Sequence, residues 1–328
     1  MIEALRQPLI VRPKYRDYVW GGQRLRPGQL TAEAWIVYEG DRVTTGPLQG
    51  RTLAELAVEF GSALLGTRAI DRTGTRFPIL IKLLDCAAWL SLQVHPNDEQ
   101  ARRLAGPDQF GKTEAWHILE ATPEAEILGG LRSGTTAEAL AQAVRNGSLL
   151  DHMQRLNVRA GETVLIRAGT IHALGPGLLL YEIQQTSNLT YRVFDWNRPA
   201  SDGRPLHIEQ SLAVADPNAT APITPRPAFI DGQAAPLIKC DYFTLELLTA
   251  QTKSIDLATR GESFHALTVT EGEAVIESDE WQVPLKRCET AIIPAACDTY
   301  RLQPQGRTQI LKATVGMAQN TLRVSLTL

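Results

Sequence analysis

Residues 90–100 read LSLQVHPNDEQ, and the first part of this segment alternates like a β-strand. Successive side chains of a strand point to opposite faces, so one face is apolar and the other holds Ser91, Gln93 and His95. If that polar face lies inside a barrel, the glutamine and the histidine need a partner. A bound metal ion is the candidate partner.

Two further residues of ligand type occur in strand-like segments, Glu114 in GKTEAWHIL and His172 in RAGTIHALG. Together with Gln93 and His95 they supply nitrogen and oxygen donors, a mixture that suits a divalent borderline ion such as Zn²⁺. These segments are far apart in the sequence, so each histidine is also compatible with an ordinary core or surface role. The metal site is predicted only if the fold brings the four residues together.

The segment around His172 carries a recognisable pattern. Gly161, Arg167, Gly169 and His172 have the spacing of the second cupin motif, in which a strand enters a tight turn and the next strand presents a metal-binding histidine. Gly169 supplies the turn, and Arg167 stands where the motif usually has proline. This resemblance implies that His172 is a ligand inside a jelly roll.

Short apolar segments separated by Gly and Pro predict a mainly β chain. Helical spacing predicts helices over 51–65, 98–106 and 135–156, the last with Thr135 as N-cap and Glu138 three residues on. The expected architecture is two cupin-like jelly-roll barrels with a small helical insertion in the first.

The Pro- and Ala-rich segment 215–236 has little periodicity and predicts a domain boundary. We expect a catalytic, metal-binding cupin domain over 1–222, with its helical insertion around 97–157. A C-terminal cupin-like domain is expected over 223–328.

The C-terminal domain is predicted to lack a metal. Its segment RCETAIIPAACDTYRL can be laid on the pattern around His172, but Ala296 replaces the glycine and Thr299 replaces the histidine. His265 has no evident partner of ligand type. A role in packing or assembly is expected for this domain.

Composition restricts the partners. The chain has 328 residues, is 44% hydrophobic and has a net charge of −3, so no basic surface for nucleic acid or an anionic membrane is expected. The N-terminal sequence has no secretory pattern, and charged residues interrupt the longest apolar stretches. The four cysteines form no CxxC pair. These features predict a cytoplasmic protein with reduced cysteines and no membrane partner.

Four ordered motifs, LSLQVHPND, GKTEAWHIL, AGTIHAL and YEIQQTSNLTYRVFDW, resemble those of the type I mannose-6-phosphate isomerases, or phosphomannose isomerases. The similarity is closest to the short bacterial members and extends to YVWGGQRL and AEAWIV, so it covers nearly the whole catalytic half. It implies one zinc ion per chain, held by Gln93, His95, Glu114 and His172.

The resemblance also implies a set of catalytic residues. Glu182 and Arg192 would line the substrate cavity, and both would lie on one face if a regular strand connected them. Lys112 would lie beside the metal on the face that carries Glu114. The expected roles are proton transfer to and from carbon for Glu182, and charge stabilisation or proton relay for Lys112.

A hexose phosphate is the substrate that this family implies. Its phosphate carries about two negative charges at neutral pH, so the site needs cations. Lys82 and Ser91 match positions near the sugar phosphate, and Trp20 matches an active-site aromatic residue. For Lys82, a charge with a packed aliphatic stem is an equally consistent interpretation.

The expected reaction is the reversible conversion of mannose 6-phosphate into fructose 6-phosphate through a cis-enediol. Zn²⁺ would stabilise the negative charge that develops on oxygen or activate a bound water. The general base is left open between Glu182 and that water. A hydride shift in place of proton transfer is also left open.

Two other functions fit part of the pattern. An Fe(II) cupin oxygenase would use two histidines and a carboxylate, but Gln93 would fill a position that dioxygen needs. A non-catalytic sugar-binding cupin is disfavoured by the joint occurrence of Lys112, Glu182 and Arg192. Either a monomer or a homodimer is compatible with the sequence.

Overall fold

The computed structural model describes residues 2–199 and 204–317, and in these ranges the chain is mainly β. Within them, no helix has both the length and the apolar character needed to cross a bilayer. The helices are α1 (Leu53–Phe60), α2 (Ser62–Leu65), α3 (Thr67–Thr73), α4 (Asp98–Ala105), α5 (Ala137–Asn146), α6 (Leu149–His152) and α7 (Ile208–Val214).

Strands occur throughout the described residues. Up to residue 224 they are β1 (Leu9–Ile10), β2 (Lys14–Arg16), β3 (Glu33–Val37), β4 (Ile79–Cys86), β5 (Leu92–Val94), β6 (Glu114–Ala121), β7 (Glu126–Leu131), β8 (Met153–Asn157), β9 (Thr163–Ile166), β10 (His172–Leu174), β11 (Leu178–Gln185), β12 (Tyr191–Phe194) and β13 (Ile223–Thr224). Beyond it they are β14 (Gln233–Lys239), β15 (Phe243–Ala250), β16 (Ile255–Ala258), β17 (His265–Glu271), β18 (Glu273–Glu277), β19 (Gln282–Lys286), β20 (Thr290–Ile293), β21 (Thr299–Pro304) and β22 (Thr308–Val315).

Two antiparallel sheets form the first half. Sheet A has the order β13-β9-β6-β11-β4-β3-β2, and sheet B has the order β12-β5-β10-β7-β8. An apolar cluster lies between them, with Leu84 and Trp116 from sheet A and Ile127 and Leu174 from sheet B. Two sheets that enclose one core in this way agree with the predicted jelly roll.

The second half repeats this arrangement. Sheet C has the order β1-β20-β17-β22-β15-β14, and sheet D has the order β16-β21-β18-β19. The core between them includes Leu267 and Ile310 from sheet C and Ile276 and Leu302 from sheet D.

The two halves share a third core. The outer face of sheet A, with Leu83 and Tyr181, packs in one cluster with Phe243 and Leu245 of sheet C and Leu56 of α1. In addition, β1 pairs with β20, and β13 pairs with β9. The domain boundary between residues 222 and 223 stays a prediction. β1 and β13 each pair with a strand on the other side of this boundary.

The helix predicted over 51–65 is interrupted. Gly61 and Gly66 have φ angles of 49° and 85°, and the chain forms α1, α2 and α3 around them. A residue with positive φ cannot continue a right-handed helix, and glycine adopts this conformation at little cost.

The helix predicted over 135–156 also differs. Its N-cap is Thr136, whose Oγ1 accepts a hydrogen bond from Ala139 N at 3.1 Å. The predicted cap, Thr135, instead donates its hydroxyl to Arg132 O at 2.8 Å. Gly147, with φ 80°, ends α5, and the end of the predicted helix is strand β8.

The segment predicted as a helical insertion, 97–157, alternates helices with strands of the first half. Asn97 caps α4 through a reciprocal pair of hydrogen bonds with Gln100, so this helix agrees with its prediction. Strand β6 of sheet A and strand β7 of sheet B lie between α4 and α5. The helices are therefore interleaved with the jelly roll, and β6 begins at a predicted ligand, Glu114.

Candidate metal centre and active site

Three predicted site residues form a row across sheet B. Gln93 on β5 is the Cα partner of both Arg192 on β12 and His172 on β10. Directly paired residues of antiparallel strands present their side chains on the same face. Because Leu92 and Val94 pack in a separate cluster on the opposite face, this row faces sheet A.

Sheet A presents a matching row toward sheet B. Lys82 on β4, Glu182 on β11 and Trp116 on β6 are Cα partners, and the neighbouring row on the same face pairs Gln184 with Glu114. Trp116 packs in the core between the two sheets, which fixes the direction of the row. Glu182 and Arg192 thus face the same interior from opposite sheets.

The connection between Glu182 and Arg192 is not a regular strand. β11 ends at Gln185 in sheet A, and β12 begins at Tyr191 in sheet B. The chain crosses from sheet A to sheet B between these strands. Alternation along one strand therefore does not place Glu182 and Arg192 on the same face.

Three of the four predicted ligands form a compact group. His95 Nε2 lies 3.5 Å from Glu114 Oε2, and His172 Nε2 lies 3.3 Å from Glu114 Oε1. All three side chains are buried, and their ligand atoms lie within 4.8 Å of one another. Within residues 2–199 and 204–317, this is the group of His, Cys, Asp and Glu side chains whose geometry could hold a metal ion.

Backbone carbonyls orient both imidazoles. His95 Nδ1 lies 2.8 Å from Leu189 O, and His172 Nδ1 lies 2.8 Å from Thr170 O. A carbonyl oxygen only accepts hydrogen bonds, so each Nδ1 carries a proton, and in the neutral form of each ring the lone pair of Nε2 faces Glu114. Burial, followed by the charge of Lys112, lowers the pKa of His95 well below its usual value and keeps this ring neutral.

Gln93 borders the group through its amide. Its Nε2 lies 3.3 Å from His172 Nε2. A half-turn of the side-chain amide exchanges its nitrogen and oxygen, so the oxygen has access to the same position. Gln93 therefore has the reach of a fourth ligand.

A cation fits the donors of this group. Glu114 Oε1 is buried and has no hydrogen-bond donor among the described residues, and the neighbouring His172 Nε2 presents a lone pair. A buried carboxylate oxygen that faces a nitrogen lone pair is unfavourable unless a positive charge lies between or beside them. Two imidazole nitrogens, a carboxylate and an amide oxygen are donors that Zn²⁺ accepts.

Lys112 lies against the same atoms. Its ammonium group pairs with Glu114 Oε2 and lies 3.1 Å from His95 Nε2. Burial by itself raises the pKa of Glu114, but the Lys112 ammonium holds it well below the usual value. The carboxylate is therefore ionised, as a metal ligand must be.

Two side chains contact Glu182, a cation and a hydrogen-bond donor. Lys82 Nζ lies 2.9 Å from Glu182 Oε1, and Trp116 Nε1 donates to Glu182 Oε2 at 3.1 Å. Burial by itself lowers the pKa of Lys82, but the carboxylates of Glu182 and Glu33 raise it above its usual value. Lys82 therefore stays protonated beside a buried acid.

Arg192, on β12, makes two hydrogen bonds through its guanidinium group. Its Nε donates to Ser91 Oγ at 3.0 Å, and its Nη1 donates to Pro205 O at 3.1 Å. Burial, followed by the charge of Arg204, lowers the pKa of Arg192 to about 10, so the group is still a cation at neutral pH. The structure thus brings Ser91 to Arg192, and Lys82 to Glu182.

Trp20, the predicted aromatic residue, is buried in the apolar cluster that contains Trp116. Its indole nitrogen has no hydrogen-bond partner within the part of the chain that the structure describes. His117, by contrast, points away from the metal group and contacts Thr163 Oγ1 at 2.9 Å, in line with the structural role expected from strand alternation.

Trp116 is the residue that the sequence analysis missed. Its N–H donates to Glu182 Oε2, and its ring meets His172 edge-on, with centroids 5.4 Å apart. Strand alternation gives the available signal, because Trp116 follows Glu114 by two positions and shares its face.

Family models match both halves of the chain. Residues 9–112 match the model described as phosphomannose isomerase type I, catalytic domain, and residues 234–312 match the mannose-6-phosphate isomerase cupin domain. These matches confirm the family and the mainly β, cupin-type fold that the sequence predicts.

Individual relatives agree with these models. The chain is 33% identical over 311 residues to mannose-6-phosphate isomerase ManA of Bacillus subtilis (strain 168), covering 90% of this chain and 96% of the relative. It is also 33% identical to a mannose-6-phosphate isomerase of Streptococcus mutans, over 73% of this chain and 78% of the relative. The crystal structure of the Bacillus subtilis mannose 6-phosphate isomerase superposes with a TM-score of 0.81 and 27% identity, covering 93% of this chain and 99% of that one.

Proposed function

The chain belongs to the type I phosphomannose isomerase family, and from this premise we propose that it interconverts mannose 6-phosphate and fructose 6-phosphate with one zinc ion per chain. The observation that carries the proposal is the convergence of two facing sheets on one interior. A His–Glu–His group, Lys112, Glu182 and Arg192 all face it.

Gln93, His95, Glu114 and His172 would hold the ion. Zn²⁺ bound there supplies Lewis-acid stabilisation of negative charge on a substrate oxygen. The carbonyl contacts of the two imidazoles support this assignment, because they leave the lone pairs of both Nε2 atoms on the side of Glu114.

Glu182 is the proposed general base. It removes the proton from C2 of the aldose, the electron pair of that C–H bond forms the C1–C2 double bond, and O1 gains a proton to give the cis-enediol. Glu182 then returns its proton to C1 while O2 loses its proton, which yields the ketose. Lys82 and Trp116, which contact its two oxygens, would keep the carboxylate ionised and oriented.

The two remaining cations would stabilise charge on oxygen. Lys112, beside His95 and Glu114, is placed to relay the proton between O2 and O1. Arg192, held by Ser91 and Pro205, would present its planar fork to the enediol oxygens or to the phosphate. Neither a cupin oxygenase nor a non-catalytic cupin requires the combination of Lys112, Glu182 and Arg192.

The phosphate group would lie near Lys82, Ser91 and Trp20. In the structure Lys82 already pairs with Glu182 and Ser91 with Arg192, so substrate binding would share these two side chains between their present partners and the sugar phosphate. The unpaired indole N–H of Trp20 would then donate to a substrate oxygen. We further propose a cytoplasmic protein, since all four cysteines are free thiols, that acts as a monomer or homodimer.

A coupled assay on mannose 6-phosphate, combined with metal analysis, tests the function. We expect turnover that is lost on chelation and restored by Zn²⁺ alone. Full activity in thoroughly chelated protein would contradict the zinc assignment, and no turnover in the zinc-loaded protein would contradict the function.

Solvent deuterium separates the two chemical routes. In D₂O, proton transfer through Glu182 exchanges its proton with solvent, and deuterium enters the product at carbon. A hydride shift carries the original hydrogen from C2 to C1, and the product would contain none. We expect incorporation.

A further inference from the structure

A cavity of about 450 Å³ opens into the second barrel. Strands β15 and β22 of sheet C line it together with Arg68 of α3, so it lies where the second barrel meets a helix of the first half. Cavities of this size hold small metabolites, and they occur preferentially at domain junctions and barrel mouths.

The interior of the second barrel changes from apolar to polar toward this cavity. Leu248 and Ile310 pair within the apolar core. The neighbouring row on the same face pairs Glu246 with Lys312, whose Nζ lies 2.6 Å from Glu246 Oε2. The Lys312 and Glu246 side chains are 14% and 32% exposed. An ion pair at such a partly exposed position stabilises the fold little, so stability alone does not explain it.

Uncharged polar groups continue the wall of the cavity. Thr244 and Thr314 form a hydroxyl pair on the next row. His265 is only 6% exposed, and its Nδ1 lies 2.6 Å from Tyr300 OH. Its Nε2 has no hydrogen-bond partner within residues 2–199 and 204–317, although the residue lines the cavity. A ligand in the cavity would give this nitrogen a hydrogen-bond partner.

Two basic residues lie at the rim of the cavity. Lys239 and Arg260 are exposed cavity residues, and neither forms an ion pair in the described part of the chain. The acids nearby already have partners, because Glu262 pairs with Arg68 and Asp256 with an arginine outside the cavity, Arg301. The rim therefore offers uncompensated cations to an anion.

We propose that this cavity is a second small-molecule site, separate from the metal centre, and that it takes a sugar phosphate. The phosphate would contact Lys239 and Arg260. The sugar hydroxyls would reach His265 and the pair Glu246–Lys312. Hydroxyl groups both donate and accept, so they match His265 Nε2 in either tautomer and the ion pair as well.

Titration calorimetry with sorbitol 6-phosphate tests the site, because this sugar phosphate has no carbonyl group to isomerise. Binding at the cavity should survive Arg192→Ala at the metal centre. It should weaken about tenfold or more in the double variant Lys239→Glu/Arg260→Glu, since charge-assisted hydrogen bonds are lost. Lys286→Glu, an exposed charge reversal on β19 outside the cavity, is the matched control and should bind like the parent.

His265→Phe tests the wall of the cavity independently of the rim and should also weaken binding, with its melting temperature as a folding control. The rim variant should keep kcat/KM for mannose 6-phosphate. Binding that disappears with Arg192→Ala and is unchanged in the rim variant would overturn the proposal. Inorganic phosphate that binds as tightly as sorbitol 6-phosphate would overturn the recognition of hydroxyl groups. These results do not depend on whether the first site turns over.

Discussion

The environment of Glu182 differs from that of Glu114. Glu114 faces two imidazole nitrogens and an ammonium group, which is the setting of a metal ligand. Glu182 instead contacts one ammonium and one indole N–H on neighbouring strands. A carboxylate with fixed orientation and no place in the metal group is suited to accept a proton from carbon.

Glu182→Gln removes this capacity while it preserves the side-chain shape. We expect zinc content and substrate binding to stay near those of the parent, and kcat to fall by about 10²–10⁴, the usual contribution of a general base. Steady-state kinetics with metal analysis checks this, and Glu124→Gln, an exposed carboxylate, is the control. Near-normal turnover would move the base role to Lys112 or to a bound water.

Trp116→Phe tests whether the indole N–H positions Glu182. Phenylalanine keeps an aromatic ring beside His172 but cannot donate to Glu182 Oε2. We expect kcat to fall about tenfold, the equivalent of one hydrogen bond to a charged group, with KM and zinc content retained. Trp281→Phe is the control, because its indole donates to Arg6 O far from the site. A change in KM alone would refute the positioning role.

At the scale of residues, strand alternation predicts much of the candidate site. Ser91, Gln93 and His95 share a face in the sequence, and all three contact other predicted site residues in the structure. The partner of Trp116 could not be inferred in this way. Glu182 is 66 residues away along the chain, and only the pairing of β6 with β11 brings the two together.

At the scale of elements, the proposed ligands His172 and Glu114 belong to different strands. His172 begins β10 and Glu114 begins β6, and both strands are paired on both sides by backbone ladders. The sheets are therefore held by hydrogen bonds and apolar cores that do not involve the metal. This contrasts with small zinc domains, in which the ion supplies most of the folding energy.

His95→Ala should accordingly lose zinc and activity but stay folded. We expect its melting temperature to lie within a few degrees of that of the chelated parent, because bound ligand stabilises only the folded state that binds it. Elemental analysis and thermal unfolding check this. His152→Ala, on α6, should keep the metal. Global unfolding of the parent on chelation would show that the metal is structural.

Asp41, in the turn between β3 and α1, predicts a pH dependence of stability. It is buried, its Oδ2 has no hydrogen bond among the described residues, and burial raises its pKa to about 7. In the unfolded chain this carboxyl ionises near pH 4, so the folded state binds more protons between pH 4 and 7. The stability contribution of Asp41 is therefore lost as the pH rises through this window.

Asp41→Asn removes that loss. Its advantage over the parent in free energy of unfolding should grow from pH 4 to pH 7, level off above, and reach on the order of 1–3 kcal/mol at pH 8. Urea unfolding of the chelated proteins at pH 4.5 and pH 8 measures it. Asp71→Asn, an exposed acid on α3, should show no such trend. An advantage that is equal at both pH values would contradict the ionisation argument.

The boundaries of elements were predictable where local chemistry decides them. The helix predicted over 98–106 forms as α4, and Asn97 and Gln100 supply its capping box. The break at Gly61 was not predicted, because a glycine inside a helical pattern is compatible with either a helix or a turn. The predicted end at residue 65, before Gly66, agrees with the end of α2. Gly66 packs so closely on the backbone of Glu262 and Ser263 that a Cβ would clash, and this contact comes from the second half of the chain.

At the scale of the whole molecule, the shared core was the feature that the sequence analysis did not predict. Every residue of β4 is buried, because one face lines the site and the other packs toward the second half. A strand that is apolar without alternation is typical of burial on both faces. The second covering layer, however, is sheet C, which begins far along the chain and is completed by β1 from the N-terminus.

Leu245→Ala tests whether this core makes the two halves one cooperative unit. Leu245 is fully buried between the halves, and a large-to-small change there costs about 2–5 kcal/mol through lost apolar contact and the cavity left behind. If the halves unfold together, loss of activity and loss of the β-sheet circular-dichroism signal should move to lower temperature by the same amount. Leu104→Ala, on the exposed side of α4, should move neither.

Two calorimetric transitions, with only one of them lowered by Leu245→Ala, would instead support independent domains over 1–222 and 223–328. We expect a single transition, because the strands that complete sheets A and C each come from the other side of that boundary.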